Sequence, residues 1–280
     1  MYQEYDNQMR DIYRAYINGC HILHNHGVLD AYGHLSVRHP VDRNVFIMSR
    51  NMAPALVSSP SDLIQYEIEE ARPLNPANVA ESYLERFIHA AIFKLYADIN
   101  AVVHSHAEAV LPFTISRVRL KPCFHLAGFL KPHGQRIFEM NDYGELSEPD
   151  LLIKNQRLGL KLSYKFNNMN SVVLMRGHGF TAVAGSIESA VFKAIYTVKN
   201  AEVQTNAMNG QSSAASTRNF PIGGDPGINY LSEKECKAGE AMAEKTLRRA
   251  WDLWVREVEV QPLYRNMLHD QAAGQGGYGA

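Results

Sequence analysis

Asn100-Ala101-Val102-Val103-His104-Ser105-His106 places two imidazoles at the close of an apolar, β-branched run. Such a run reads as a buried strand, and on a strand alternate side chains share one face. His104 and His106 therefore project from the same side, near enough to grip a single metal ion. Much later the apolar run Val172-Val173-Leu174-Met175 ends in Arg176-Gly177-His178-Gly179-Phe180. The flanking glycines let the backbone turn tightly beside a third imidazole. Three neutral nitrogens with one position left open fit a catalytic metal site better than a structural one, which closes with four protein ligands. A histidine at a strand end also serves as a hydrogen-bonded structural residue, so the H-x-H pair alone leaves both readings open.

Upstream, Leu84, Phe87, Ile88, Ala91 and Ile92 recur at helical spacing within Glu81 to Phe93, which predicts a helix from there to about Tyr96. Asp98-Ile99-Asn100 then turns the chain into the His104 strand. A helix packed back along that strand brings Glu85 near the metal, where a carboxylate can shuttle a proton to or from a substrate. The alternatives are a solvated glutamate paired with an arginine, or Glu85 and His89 contributing a ligand from one helical face.

The remaining chain predicts an opening helix over 8–26, with Gly27 as its C-terminal cap, and strands at 34–38 and 45–49. A Pro- and Ser-bearing loop over 51–62 is expected to border the pocket. Further expectations are a helix at 107–113, a strand at 135–138, a helix at 149–165, strands at 171–175 and 180–183, and a helix at 186–208. The alternation αββ(β)αβαβαββα indicates a single-domain α/β fold, a mixed central sheet flanked by helices. We divide the chain into a catalytic unit over 1–210, a connector and C-terminal helix over 211–270, and a disordered low-complexity tail over 271–280. The Gly, Ser and Pro-rich stretch 209–229 reads as a mobile lid or subunit arm, followed by a polar helix capped by Ser232.

Glu85, the stretch from Asn100 to His106, Gly177-His178-Gly179 and Gly33-His34-Leu35-Ser36-Val37-Arg38 together resemble the class II aldolase/adducin family, over about residues 8–210. The resemblance implies an αβα fold, a divalent metal held by His104, His106 and His178, and Glu85 as acid/base. It also implies a homotetramer with active sites near subunit boundaries. Where the sugar-phosphate aldolases carry Asn after the glycine, this chain has His34, and no serine-rich phosphate loop surrounds Met48-Ser49-Arg50-Asn51. The segments around Tyr83 to His89, His125-Leu126-Ala127-Gly128-Phe129 and Arg176 to Gly179 look more like the branch of decarboxylases of hydroxylated aromatic and pyridine carboxylic acids.

That resemblance implies a metal-dependent carbon–carbon lyase, decarboxylating a hydroxylated aromatic or β-keto acid through a metal-stabilised enolate or phenolate. Zn2+ is the first expectation for the ion, with Mn2+ or Fe2+ as alternatives. His34, Arg50, Arg176 and His125 are candidates to anchor the substrate carboxylate, arginine because its planar fork matches a carboxylate. Each has a structural alternative: arginines that end strands or pair with acids, and His125 as a core histidine. Rival functions are a retro-aldol lyase on a non-phosphorylated hydroxy-carbonyl compound, a non-haem iron oxygenase, and a non-catalytic adducin-like scaffold.

Composition narrows the partners. The 280 residues carry a net charge of -1 and 46% hydrophobic residues, and no basic stripe invites nucleic acid or an anionic membrane. No apolar run is long enough to span a bilayer and the first residues lack signal-peptide character, so a cytoplasmic location is the expectation. Three cysteines, Cys20, Cys123 and Cys236, lie far apart and read as free thiols. His21, His24 and His26 suit the carboxyl end of the first helix as structural residues. Trp251, Trp254, Leu263 and Tyr264 in a charged C-terminal segment are expected either to meet a partner subunit or to pack onto their own protomer.

Overall fold

A computed structural model describes residues 2–143, 150–167, 170–216 and 227–269. Chain order runs α1 (Tyr2–Asn25), β1 (His34–Arg38), β2 (Val45–Ser49), β3 (Leu63–Glu67), α2 (Arg86–Leu95), β4 (Ala101–Ser105) and α3 (Leu111–Ile115). It continues through β5 (Arg136–Phe138), α4 (Gln156–Ser163), β6 (Val172–Met175), β7 (Gly179–Ala184), α5 (Ile187–Ser216) and α6 (Glu233–Glu259). The strands form one seven-stranded sheet in the order β3-β2-β1-β4-β7-β6-β5. Among the described residues only β5 and β6 pair in parallel, so the sheet is mixed as expected. The strand bracketed in the sequence reading exists as β3.

Both faces are covered, which is why β1, β2, β4, β6 and β7 are buried along their whole lengths. Leu35, Val103, Leu174 and Ala182 point to a core shared with α1, α5 and α6. Phe46, Val102, Val173 and Val183 point to the other, against α2 and α4. The antiparallel register sets His34 opposite His104, and His104 opposite Thr181. Because facing residues of paired strands share a face, all three rise on the α2 side.

α2 is fixed at both ends. The buried Arg38 guanidinium donates to the carbonyls of Phe93 and Tyr96 at 2.7 and 2.9 Å, satisfying the helix's carboxyl end with a positive charge. At the other end the helix begins at Arg86, later than the periodicity predicts, with residues Pro76–Glu81 in a 3-10 turn. Arg86 explains the late start: its side chain donates to the carbonyls of Tyr83 and Ala71 at 2.9 and 2.8 Å, and Tyr83 is tied by its hydroxyl to Met52 O. Glu85 thus occupies the N-cap position and its carboxylate does not cap the helix.

Other boundaries shift in the same way. α1 begins at Tyr2 rather than near Gln8, and the predicted helix over 149–165 shortens to Gln156–Ser163 followed by a 3-10 turn. Residues 209–216, read as connector, continue α5. Adding a turn to a nucleated helix is cheap, and the Gln- and Ala-containing stretch tolerates Gly210 at about 1 kcal/mol. The rest of the proposed lid up to residue 226, and the tail 271–280, lie outside the described residues. Ser232 caps α6 through a reciprocal capping box with Glu235. Trp251, Trp254 and Tyr264 are buried within the protomer, so these rings do not need a partner subunit, whereas Leu263 is exposed. His21, His24 and His26 are structural: their rings engage Val57 O, the Tyr264 hydroxyl and Glu257.

The β6–β7 hairpin carries His178 in a tight loop where Gly177 takes φ 64 and Gly179 φ 151. A Cβ on Gly179 would lie 2.0 Å from Ser105 O and 3.0 Å from His106 Cα, so the hairpin touches β4 only because this side chain is absent. Gly179→Ala combines backbone strain with overpacking, and we expect a loss of about 3 kcal/mol together with weakened metal retention. Thermal melting with parallel metal analysis measures both.

Candidate metal centre and active site

The register and the hairpin bring three imidazoles together. His104 Nε2 lies 3.0 Å from His106 Nε2 and 3.3 Å from His178 Nε2, and the last two are 3.1 Å apart. Three atoms in a triangle cannot all be matched as hydrogen-bond donor and acceptor, because each neutral nitrogen is one or the other and at least one edge joins two of a kind. A cation resolves the conflict. With metal–nitrogen bonds of about 2.0–2.1 Å, octahedral or tetrahedral ligands lie roughly 2.8–3.4 Å apart, a range that contains the triangle's edges.

The outer groups favour that arrangement. His104 Nδ1 meets Thr181 Oγ1 at 3.2 Å, and Thr181 donates its own proton to Met175 Sδ. Its hydroxyl oxygen is therefore an acceptor for His104 Nδ1–H, which leaves Nε2 with its lone pair free. His106 Nδ1 faces Asp30 Oδ1 at 3.6 Å, an orienting charge rather than a hydrogen bond. Burial raises the Asp30 carboxyl, but the Gly33 and Tyr32 N–H groups outweigh it and hold it below the usual carboxylate range. His178 Nδ1 is buried without a hydrogen-bond partner among the described residues.

Glu85 completes the group, with its ligand-type oxygen and the three nitrogens all within 4.8 Å of one another. Its Oε1 accepts the Ile153 N–H at 2.8 Å, while Oε2 lies 3.5 Å from both His104 Nε2 and His178 Nε2. One oxygen is anchored and the other aimed at the cage. Leu151, two residues before the anchoring amide, stands at φ 64, a left-handed conformation costing a leucine on the order of 1–3 kcal/mol.

Burial, first, and then the surrounding histidines push the His34 and His104 rings well below their ordinary values, and the same causes lower His106 less. His34 accordingly sits in the site as a neutral group, 3.9 Å from Glu85 Oε2. His89 is not a ligand: it lies behind His34 and bonds to it and to Ser36. Its burial holds it down to about 3, as burial holds His21 down to about 4.

These depressed rings carry a pH dependence. The unfolded chain binds protons at His21 and His89 below about pH 6.5 while the folded one does not, so their contribution is full above 6.5 and lost as pH falls toward 4. Each costs about 1.4 kcal/mol per pH unit in that window. We expect the melting temperature of metal-free protein to fall steeply between pH 6.5 and 4, and that of His21→Gln less steeply.

The other sequence candidates do not join the cage. Arg50 bonds Ser61 O at 2.9 Å and pairs with Glu81, and Arg176 pairs with Glu139 at 2.5 Å, each the structural alternative named above. His125 is exposed, in a 3-10 turn packed against α6. A cavity of about 920 Å³ opens at the opposite end of β4 and β7, beside Asp98, Ala184 and Gly185, away from this chemistry.

Residues 14–205 match the Class II Aldolase and Adducin N-terminal domain. The chain belongs to this family. It is 48% identical over 261 residues to decarboxylase tropJ of Talaromyces stipitatus, covering 91% of this chain and 96% of that one. A 3,4-dihydroxyphthalate decarboxylase of Arthrobacter keyseri is 28% identical over 195 residues, 63% of this chain and 70% of that protein. L-fuculose 1-phosphate aldolase from Glaciozyma antarctica shares the fold, with a TM-score of 0.65 at 18% identity over 94% of each chain. Family and relatives together support an enzyme of the lyase class.

Proposed function

We propose that this chain is a divalent-metal-dependent lyase that decarboxylates a hydroxylated aromatic or β-keto carboxylic acid. The observation that carries the reading is Glu85 Oε2 aimed between two nitrogens of a three-histidine cage. A divalent cation there, Zn2+ first and Mn2+ or Fe2+ as alternatives, supplies a Lewis acid for the oxygen that takes up charge. In a β-keto acid the bond between the α-carbon and the carboxylate breaks, carbon dioxide leaves and the electron pair becomes an enolate; in a hydroxylated aromatic acid the ring carbon takes its proton first, and loss of carbon dioxide then returns the electron pair to the ring as a phenolate. Glu85, having taken a proton from solvent, delivers it to that carbon, so one carboxylate and one proton become one C–H bond and one carbon dioxide. His34 offers a neutral donor to a substrate oxygen at the same place. The hydroxylated aromatic acid in one relative's name and the decarboxylase name of the nearer-matching relative support the substrate class.

The test is anaerobic incubation of metal-loaded protein with ortho-hydroxy arenecarboxylates and β-keto acids, following carbon dioxide and product. Equimolar carbon dioxide and decarboxylated product are expected. Aldehyde release without carbon dioxide, or turnover only in air, would overturn the reading in favour of an aldolase or an oxygenase.

The assembly proposed is a homotetramer in the cytoplasm. Exposed Leu253, Val260, Leu263 and Met267 on α6 and the segment beyond it offer apolar surface for another copy, and the free cysteines suit a reducing compartment. Among the described residues no helix is long and apolar enough to cross a membrane.

A further inference from the structure

Behind the cage lies a buried polar chain that no metal ligand explains. Ser36 Oγ lies 2.6 Å from His89 Nδ1, His89 Nε2 lies 2.7 Å from His34 Nδ1, and His34 Nε2 ends 3.9 Å from Glu85 Oε2. Ser36 and His89 are fully buried and His34 is 2% exposed. Neutral imidazole has one donor and one acceptor, so the whole chain must point one way or the other.

Two observations decide the direction. Among the described residues His89 Nδ1 is the hydrogen-bond partner of Ser36 Oγ. If His89 Nδ1 carried the proton, the buried serine O–H would have no acceptor, an orphan costing about 1–3 kcal/mol. At the other end the same direction would turn the His34 Nε2 lone pair toward the Glu85 carboxylate, acceptor against acceptor. With the serine donating, both hydrogen bonds of the chain pair a donor with an acceptor, and the His34 Nε2–H faces the Glu85 charge from beyond hydrogen-bond reach.

We propose that Ser36 and His89 are positioning residues that hold His34 as its Nε2–H tautomer, so that it presents a hydrogen-bond donor to a substrate oxygen beside Glu85. The inference deepens the decarboxylase reading and rests on it for the identity of that oxygen. Bonds run from Ser36 O–H to His89 Nδ1 and from His89 Nε2–H to His34 Nδ1, leaving the His34 Nε2–H pointing into the site. An ionised carboxylate or phenolate accepts from that N–H. An ammonium or amide N–H does not, which narrows the substrate to compounds whose group at this position is an acceptor.

Two replacements of His89 separate this role from a packing role. Glutamine keeps an N–H near the Nε2 position, whereas glutamate places an acceptor there and obliges His34 to carry its proton on Nδ1. In zinc-loaded protein with 15N-labelled histidine, long-range proton–nitrogen spectra read which ring nitrogen is protonated, and His34→Gln assigns the ring by loss of its signals. The native protein and His89→Gln are expected to show His34 protonated at Nε2, and His89→Glu at Nδ1. With whichever ortho-hydroxy arenecarboxylate or β-keto acid the carbon dioxide assay shows to be turned over, His89→Glu loses about 10–100-fold in kcat/KM at unchanged zinc content, and His89→Gln recovers most of that loss. Should His89→Glu not fold, Ser36→Ala removes the donor that sets the direction, and signals of both His34 tautomers are expected. A native His34 protonated at Nδ1, or a tautomer indifferent to both changes, would overturn the proposal. The spectrum needs no substrate, so native protein that releases no carbon dioxide but shows the Nε2–H tautomer counts against the reaction and not against the relay.

Discussion

Glu85→Gln is expected to lower kcat by about 10²–10⁴-fold while leaving bound metal at its native level. The amide is nearly the same size as the carboxylate and its carbonyl still accepts the Ile153 N–H that fixes the side chain. What it cannot do is take a proton from solvent and pass it to carbon. Because the three imidazoles lie within 3.3 Å of one another independently of Glu85, the cage survives the change. Steady-state kinetics with metal analysis on the same sample checks the outcome, and loss of metal along with activity would recast Glu85 as a ligand.

His104→Ala has the second large effect, through the metal. Removing one of three nitrogens leaves too few protein ligands to retain a divalent ion, and with it goes several kcal/mol of charge stabilisation, about a thousandfold or more in rate. His104 is fully buried between His34 and Thr181, so the cavity also costs roughly 2 kcal/mol or more. His178→Ala, from the β6–β7 hairpin, separates the two contributions: its ring is less buried, so metal and activity should fall with a smaller change in melting temperature. Mass spectrometry of metal content beside a melting curve for each variant distinguishes them.

The cage was legible from the sequence because its determinants are local. The H-x-H spacing needs only the alternation of a strand, and the glycines beside His178 announce a tight loop. The glutamate was legible as a residue but not in its setting. Periodicity extended α2 back to Glu81, whereas Arg86 and Tyr83 make tertiary bonds that end the helix at Arg86 and leave Glu85 free to reach inward. β3 was only bracketed, since Leu-Ile-Gln-Tyr-Glu is short, lies at the sheet edge and shows its alternate residues to solvent.

The partners of His34 were out of reach. His89 meets it across 55 residues of chain, and meets Ser36 across 53, through tertiary packing that no local pattern encodes. The partners of the arginines were out of reach for the same reason: Glu81 and Glu139, which pair with Arg50 and Arg176, are chosen by the fold. The tryptophans read as candidates for an interface because their segment is charged, yet α6 lays one face on α1 and α5 and buries them there.

The most direct test of the account follows bound metal and carbon dioxide release together while a chelator strips the native protein, and again as Zn2+ or Mn2+ is restored. Both signals are expected to fall in proportion, from about one ion per chain, and to recover together. Undiminished carbon dioxide release from protein holding no metal would contradict it.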